Sequence, residues 1–369
     1  MRVEALELRR LRLPLVVPFT AAHGTTAVRD VVLVRARTDG PDGWGECGAQ
    51  HEPTYTAEHT AGAFAVLRDH LAPRLLGRAL AGDDVVAALD DVRGHPMAKA
   101  ALEQAVLDAR LRRDGTSLAA WLGAARTAVP AGVAVGVMGD LDRLLQAVDA
   151  YVGAGYRRLK LKIAPGWDVA PVEAVRAHVG AGVELAVDAN GAYRRDDVDH
   201  LRALDAYDLQ LLEQPLPPDD LVGAALATAR LVTPVGLDES VGSVGEAETA
   251  LALRACDVVV LKAARVGGLV AARRVHDLCV AAGVGLCPGG LLETGVGRAA
   301  ALAVAALPGV RLTGDLSASD RYVARDVTAP LRLAEGGVLA VPDGPGLGVD
   351  LDLEAVEELT VELVELVAG

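Results

Sequence analysis

RLKLK at residues 158–162, VELAVD at 183–188, LQLLE at 209–213, PVGLD at 234–238 and VVVLK at 258–262 are five short apolar runs that each close on an ionisable residue. Their last residues lie 26, 25, 25 and 24 positions apart. Working outward, VAVGV ends 25 residues earlier at Val137, while VGLC at Cys287 and VRLTG at Gly314 follow at intervals of 25 and 27. Amphipathic helical segments separate the runs. Eight βα-type units of one period predict a parallel barrel rather than an open doubly wound sheet. A solenoid shares such a period, but it repeats a consensus, and these runs share none.

The period also sorts the polar residues. Lys160, Lys162, Asp188, Glu213, Asp238 and Lys262 fall at or within two residues of the C-terminal ends of five consecutive runs. In a parallel barrel those ends form the face that carries catalytic groups. Three carboxylates converging from neighbouring strands repel one another unless a cation sits among them or their pKa values rise. A hard divalent ion, Mg2+ or Mn2+, suits such an oxygen set better than Zn2+. Lys162 and Lys262 stand two runs before and two runs after Glu213, so a closed barrel sets them across from each other. A lysine base needs its pKa lowered from about 10.4 toward roughly 7 to 8, and Lys160, on the same strand face as Lys162, is the neighbouring cation expected to lower it. The reaction class implied is abstraction of a proton α to a carboxylate, through an enediolate.

Further out, the first 125 or so residues read as a mixed α+β unit. Residues 3–13 alternate, 31–37 form a second β-branched run, and Gly43-Trp44-Gly45-Glu46 is expected to turn between strands. The clearest helix is expected over 97–113, with a stop at Asp114-Gly115. A net charge of −14 argues against nucleic-acid and anionic-membrane partners. Aromatics are only 3% of the chain, so Ala, Val and Leu must fill the core. Cys47, Cys256, Cys279 and Cys287 stand singly, as expected of buried thiols in a reducing cytoplasm. No signal peptide is expected from the charged N-terminus, and the Ala-rich segment 299–307 reads as a buried helix, too short to span a membrane. Gly295-x-Gly297-x-x-Ala300 resembles a dinucleotide fingerprint but lacks its acidic partner, so a glycine-relaxed helix start is the better reading.

Taken together, the KxK at Lys160 and Lys162, VDAN at 187–190, EQP from Glu213, LDES around Asp238 and RVGG after Lys262 resemble the enolase superfamily, muconate-lactonizing-enzyme subgroup. HPMAK at 95–99, IAPGWDVAPV from Ile163, GGLLETGVGRA from Gly289, GDLSASDRY from Gly314 and PGLGV from Pro345 are similar to o-succinylbenzoate synthases of the N-succinylamino acid racemase type. The resemblance implies a modified TIM barrel, (β/α)7β, over residues 126–319. It adds an α+β capping domain from residues 1–125, to which the segment 320–369 returns. It makes Asp188, Glu213 and Asp238 the ligands of Mg2+ or another divalent ion, and Lys162 and Lys262 the acid/base pair. Lys160, Asn190, Gly289, Gly290, Arg265, Asp315 and Tyr55 become substrate-binding or supporting residues, and loops at 18–24 and 48–55 would close over a small-molecule carboxylate. A homo-oligomer is also implied.

Two positions depart from that pattern. Ala134 stands where the group often has Ser, and Gln50-His51 where it often has an apolar residue; His51 and His23 are the histidines expected near the pocket. Dipeptide epimerases share the ligands and lysines but carry an acid two residues after the position of Asp315, where Ser317 stands here. Muconate cycloisomerases are a further alternative, and a metal-binding barrel without catalysis is the non-enzymatic one.

Overall fold

The computed structural model describes residues 1–22, 24–80 and 84–369, so His23 lies outside the described residues. The chain opens with three antiparallel strands, β1 (Val3–Ala21), β2 (Gly24–Thr38) and β3 (Gly43–Cys47). β1 and β2 stay paired to Phe19↔Thr26, Thr20↔Thr25 and Ala21↔Gly24. The loop expected at 18–24 is therefore mostly hairpin. β-Branched Thr20, Thr25 and Thr26 favour this, and the Thr20 and Thr25 hydroxyls lie 2.9 Å apart. The expected turn at Gly43–Glu46 is instead strand β3, paired with β2 from Val32↔Cys47 to Ala36↔Gly43. Its glycines serve packing: a Cβ at Gly43 or Gly45 would run into the backbone of the helix above, at Ala105 and Ala101.

That helix is α3 (Pro96–Asp114), which follows α1 (Thr60–Val66) and α2 (Asp84–Leu89) and precedes α4 (Leu118–Leu122). As the stop signal predicts, α3 ends on Gly115 in the left-handed region, φ 66°. A short strand β4 (Ala128–Pro130) then leads into the barrel.

Seven parallel strands follow in chain order within one sheet: β5 (Gly132–Val135), β6 (Arg158–Lys162), β7 (Glu184–Asp188), β8 (Leu212–Glu213), β9 (Val235–Leu237), β10 (Val258–Leu261) and β11 (Gly285–Pro288). Each is followed by a helix: α5 (Leu141–Gly153), α6 (Val169–Val179), α7 (Val198–Leu201), α8 (Leu221–Arg230), α9 (Val244–Ala252), α10 (Leu269–Ala282) and α11 (Gly295–Ala305). Two expected strands differ. The first run stops at Val135 because the Val137 amide donates to the Thr20 carbonyl of the β1–β2 hairpin, 3.0 Å away. The eighth, at 310–314, forms no ladder. It lies in the gap between β11 and β5, where side chains at Gly132 and Gly314 would collide with the Gly314 and Pro288 carbonyls. Seven βα units closed by this segment make the modified TIM barrel.

The remaining chain supplies β12 (Val338–Ala340), paired with β4, then α12 (Leu353–Leu359) and β13 (Thr360–Val367). β13 pairs antiparallel with β1, from Ala5↔Val367 to Leu11↔Thr360, giving a cap sheet of order β13-β1-β2-β3. The cap core gathers Leu6, Leu8, Val32, Leu67, Met97 and Leu102, and a larger core of Val, Leu and Ala fills the barrel shell. All four cysteines are buried and unpaired, and α11 is the buried Ala-rich helix, starting at Gly295. Among the described residues no helix is long and apolar enough to cross a membrane.

Cap and barrel are joined by buried polar contacts. Glu46 of β3 reaches the start of α11, where its carboxylate accepts from the Thr294 hydroxyl at 2.6 Å and the Gly297 amide at 2.9 Å. Burial pushes this carboxyl up from its ordinary 4.5 to about 7. The folded state thus binds a proton that the unfolded chain has released between those values. Stability falls as pH rises from about 4.5 through 7, by up to about 3 kcal/mol. Glu46→Gln is predicted to remove this dependence. In thermal melts from pH 5 to 8, the variant should gain on the wild type as pH rises; a constant difference in Tm would refute the assignment.

Candidate active site

The strand register brings the predicted residues together. Lys162, Asp188 and Glu213 are consecutive register partners on β6, β7 and β8, and Glu213 aligns with Gly236, two residues before Asp238. Side chains two apart share a strand face, so Lys160, Lys162, Asp188, Glu213 and Asp238 all project into the barrel mouth. Lys262 follows the last residue of β10. A cavity of about 70 Å3 lies at this mouth, lined among others by Lys160, Lys162, Asn190, Asp238, Lys262, Gly290 and Asp315. The cap closes it with Phe19, Thr26, Gln50 and Tyr55.

Every expected catalytic or metal-binding side chain is buried, and opposite charges are interleaved. Lys162 Nζ donates to Asp188 Oδ2 at 2.6 Å and Asn190 Oδ1 at 2.8 Å. Lys262 Nζ donates to Asp238 Oδ2 at 2.7 Å and the Tyr55 hydroxyl at 2.9 Å. Lys160 Nζ stands 2.9 Å from Glu213, 2.9 Å from Asp315 and 3.1 Å from Asp188. Burial opposes the charge on Lys160, but these three carboxylates outweigh it and hold the ammonium well above its ordinary range. Lys160 therefore places its charge among three acids. Lys262 is likewise held high despite burial, the Tyr55 oxygen and the Glu213 and Asp315 charges prevailing. That is opposite to the lowered value expected of a base; the cause is the Tyr55 oxygen together with the Glu213 and Asp315 carboxylates.

Among the carboxyls the balance is uneven. Burial would raise Asp188, but Lys162 and Lys160 bring it far down. Burial and the Asp188 charge leave Glu213 raised in spite of Lys160. Arg265 pairs with Asp238, and its Nε and Nη2 donate to the Val241 and Val260 carbonyls at 3.0 and 2.6 Å. Asp315 also accepts from the Gly290 amide at 3.3 Å. Gly289 lies behind Lys262, where a Cβ would press on its Cε at 2.5 Å. Ala134 and Gln50 line the cavity, whereas His51 turns away: its Nδ1 is 3.0 Å from Asp30, in a separate cleft.

Two residues of the cluster were not singled out from the sequence. Glu239, next to Asp238, is buried; Asn190 donates to its Oε1 at 2.8 Å, while its Oε2 has no partner. Burial and the Asp188 charge raise its pKa. An acidic pair at a strand end was the available signal. Gln214, with φ 39°, donates to Ser240 Oγ at 2.8 Å and accepts the Asp238 amide at 3.0 Å, stitching the ends of β8 and β9. Among the described residues no three acidic, His or Cys side chains stand ready-gathered for a metal ion, since lysine amines lie between them. The donor set itself fits a hard divalent cation: it is all oxygen, Glu213 is undercompensated, and Glu239 holds a buried oxygen without a partner.

Carboxylates and lysines ringed around one cavity at the C-terminal face of a parallel barrel define a catalytic site. Residues 143–356 match the enolase C-terminal domain-like family, and residues 5–123 match the N-terminal domain of mandelate racemase and muconate lactonizing enzymes. The chain is 48% identical over 369 residues to an N-succinylamino acid racemase of an Amycolatopsis species, covering 99% of each. It is 41% identical over 360 residues to an o-succinylbenzoate synthase of Geobacillus stearothermophilus, covering 97% of this chain and 96% of that one. A solved enolase-superfamily protein from Listeria innocua superposes with a TM-score of 0.95 at 36% identity, covering all of both chains. The chain belongs to the enolase superfamily, as an enzyme of its muconate-lactonizing branch. Enzymes of this superfamily generally use a divalent metal ion.

Buried charge also sets the fragility of the site. Lys160→Met strips one partner from three buried carboxylates and is predicted to cost about 3 to 5 kcal/mol. Asp315→Asn, which leaves Lys160 two acids, should cost only about 1 to 2 kcal/mol. Urea midpoints at unchanged m-value check the order; equal losses would show that Lys160 is not the hub.

Proposed function

We propose that this enzyme abstracts the proton α to a carboxylate, with Lys162 and Lys262 as its acid/base pair, acting as an N-succinylamino acid racemase, an o-succinylbenzoate synthase or both. The observation that carries the reading is that the two lysines enter one cavity from the ends of β6 and β10, on opposite sides of the carboxylates. Asp188, Glu213 and Asp238 would hold the divalent ion, taken to be Mg2+, with Asn190 and Glu239 supporting them. Bound there, the ion supplies positive charge to the developing anion and competes with the ammonium groups for carboxylate oxygens.

In racemisation one lysine takes the α-proton from one face of the substrate and the other returns a proton to the opposite face. In the dehydration Lys162 takes the α-proton and then protonates the departing hydroxide, while Lys262 stays cationic beside the developing charge. Tyr55 covers the site and excludes water; its hydroxyl accepts from Lys262 and Arg265 and donates to Asp238 at 3.1 Å. The dipeptide epimerase alternative is disfavoured by Ser317, which stands where those enzymes carry the second of two acids that hold an α-ammonium.

Incubation in D2O with Mg2+ and a panel of N-succinylamino acids, dipeptides and the cyclohexadiene precursor of o-succinylbenzoate tests the reading. Exchange or turnover is expected with the first, the last or both, and not with dipeptides; no reaction with any member would sink it. Lys162→Ala and Lys262→Ala are each predicted to lower racemisation by at least about a thousandfold, which retained racemisation in either would refute. Mg2+ should raise the Tm of both lysine variants but not that of Glu213→Gln.

A further inference from the structure

Lys262 and Arg265 sit on a loop whose outer end is held by the capping domain. From Lys262 the chain folds back on itself: the Val266 amide donates to the Lys262 carbonyl at 3.2 Å, and the Gly268 amide to the Ala263 carbonyl at 2.9 Å. The loop then enters α10 through Gly268, at φ 130°, which offers no capping side chain. α5, α6, α8, α9 and α11 each begin on a residue whose own side chain accepts an amide of the first turn: Asp140, Asp168, Asp220, Ser243 and Thr294. α10 takes its acceptor from the cap instead. Glu103, buried on α3, accepts the Leu269 amide at 2.5 Å through Oε2 and the Val270 amide at 2.9 Å through Oε1. A side chain at Gly268 would collide with that carboxylate.

The N-terminal end of α3, about two turns before Glu103, is tied to the loop over the substrate cavity. Glu58, three residues after Tyr55, accepts the Met97 and Ala98 amides at the start of α3, both at 2.8 Å. A carboxylate at a helix N-terminus meets orphan amides and the positive end of the dipole. α3 is thus a rod capped by the Tyr55 loop at one end and capping the Lys262 loop farther along. We infer that Glu103 is a positioning residue for Lys262 and Arg265, fixing their loop to the same cap helix that seats Tyr55. The inference rests on Lys262 being one of the two acid/base lysines. It separates the two lysines, because the loop of Lys162 leads into α6, which is capped by its own Asp168 through the Val169 amide at 2.6 Å.

The test is α-proton exchange in D2O with Mg2+, followed by NMR, on each enantiomer of N-succinylphenylalanine separately. Lys262→Ala identifies the enantiomer whose proton faces Lys262, by abolishing its exchange alone. If it abolishes both, the lysine assignment fails and the inference falls with it. Glu103→Gln is expected to slow exchange of the Lys262-facing enantiomer by about 10- to 100-fold, as for a base displaced by about an ångström, and the other by less than about twofold. Gly268→Ala displaces the same carboxylate from the opposite side and should reproduce the asymmetry, and Glu103→Asp should restore part of the lost rate. Equal slowing of both enantiomers, or none, in a folded Glu103→Gln or Gly268→Ala protein overturns the positioning role.

Discussion

The packing of carboxylates and ammonium groups into a water-poor barrel mouth is the constraint on which the site depends. Asp188, Glu213, Asp238, Glu239 and Asp315 are gathered there with Lys160, Lys162, Lys262 and Arg265. No member is tolerable alone, since an isolated buried charge costs several kcal/mol. The strands that deliver these groups are otherwise Val, Leu and Ala, and ion pairs tie them together: Lys162 of β6 to Asp188 of β7, and Lys160 of β6 to Glu213 of β8. The one-residue precision of the β6, β7 and β8 register places each amine against its acid. A slip by one residue would turn the whole charged set into the packed shell.

The cap completes what the barrel cannot. Tyr55 puts a hydroxyl among Lys262, Arg265 and Asp238, Glu46 reaches the start of α11, and Glu103 reaches the start of α10. Each is a cap residue satisfying polar groups at the catalytic face. The two bodies share buried hydrogen bonds, so part of the catalytic face is built by the cap.

Much of this was legible because it is periodic. Strand ends about 25 residues apart, five of the eight on a charged residue, mark both the barrel and its working face, and the 97–113 stripe with its Gly115 stop defines α3. What was not legible depends on contacts between distant elements. Gly43 and Gly45 look like turn residues because their need, clearance beneath α3, lies some sixty positions away. The segment 310–314 has a strand's composition, yet backbone closeness at Gly132 and Gly314 replaces its ladder. His51 sits beside the pocket in sequence and is drawn off by Asp30, and the direction of the Lys262 shift needs the whole charge set.

The pairing of β13 with β1 sets an order on the making of this enzyme. β1 is made before the barrel, but its neighbour on one side, β13, is made after it. Throughout synthesis of the barrel one flank of β1 is an open template for foreign strands, a hazard that proteins blunt with charge. β1 carries that protection in Glu7, Arg9, Arg10 and Arg12, of which Arg9 and Arg10 later pair with Glu357 and Glu362 of the returning segment. The residues that guard the nascent edge thus become the ones that receive its natural partner.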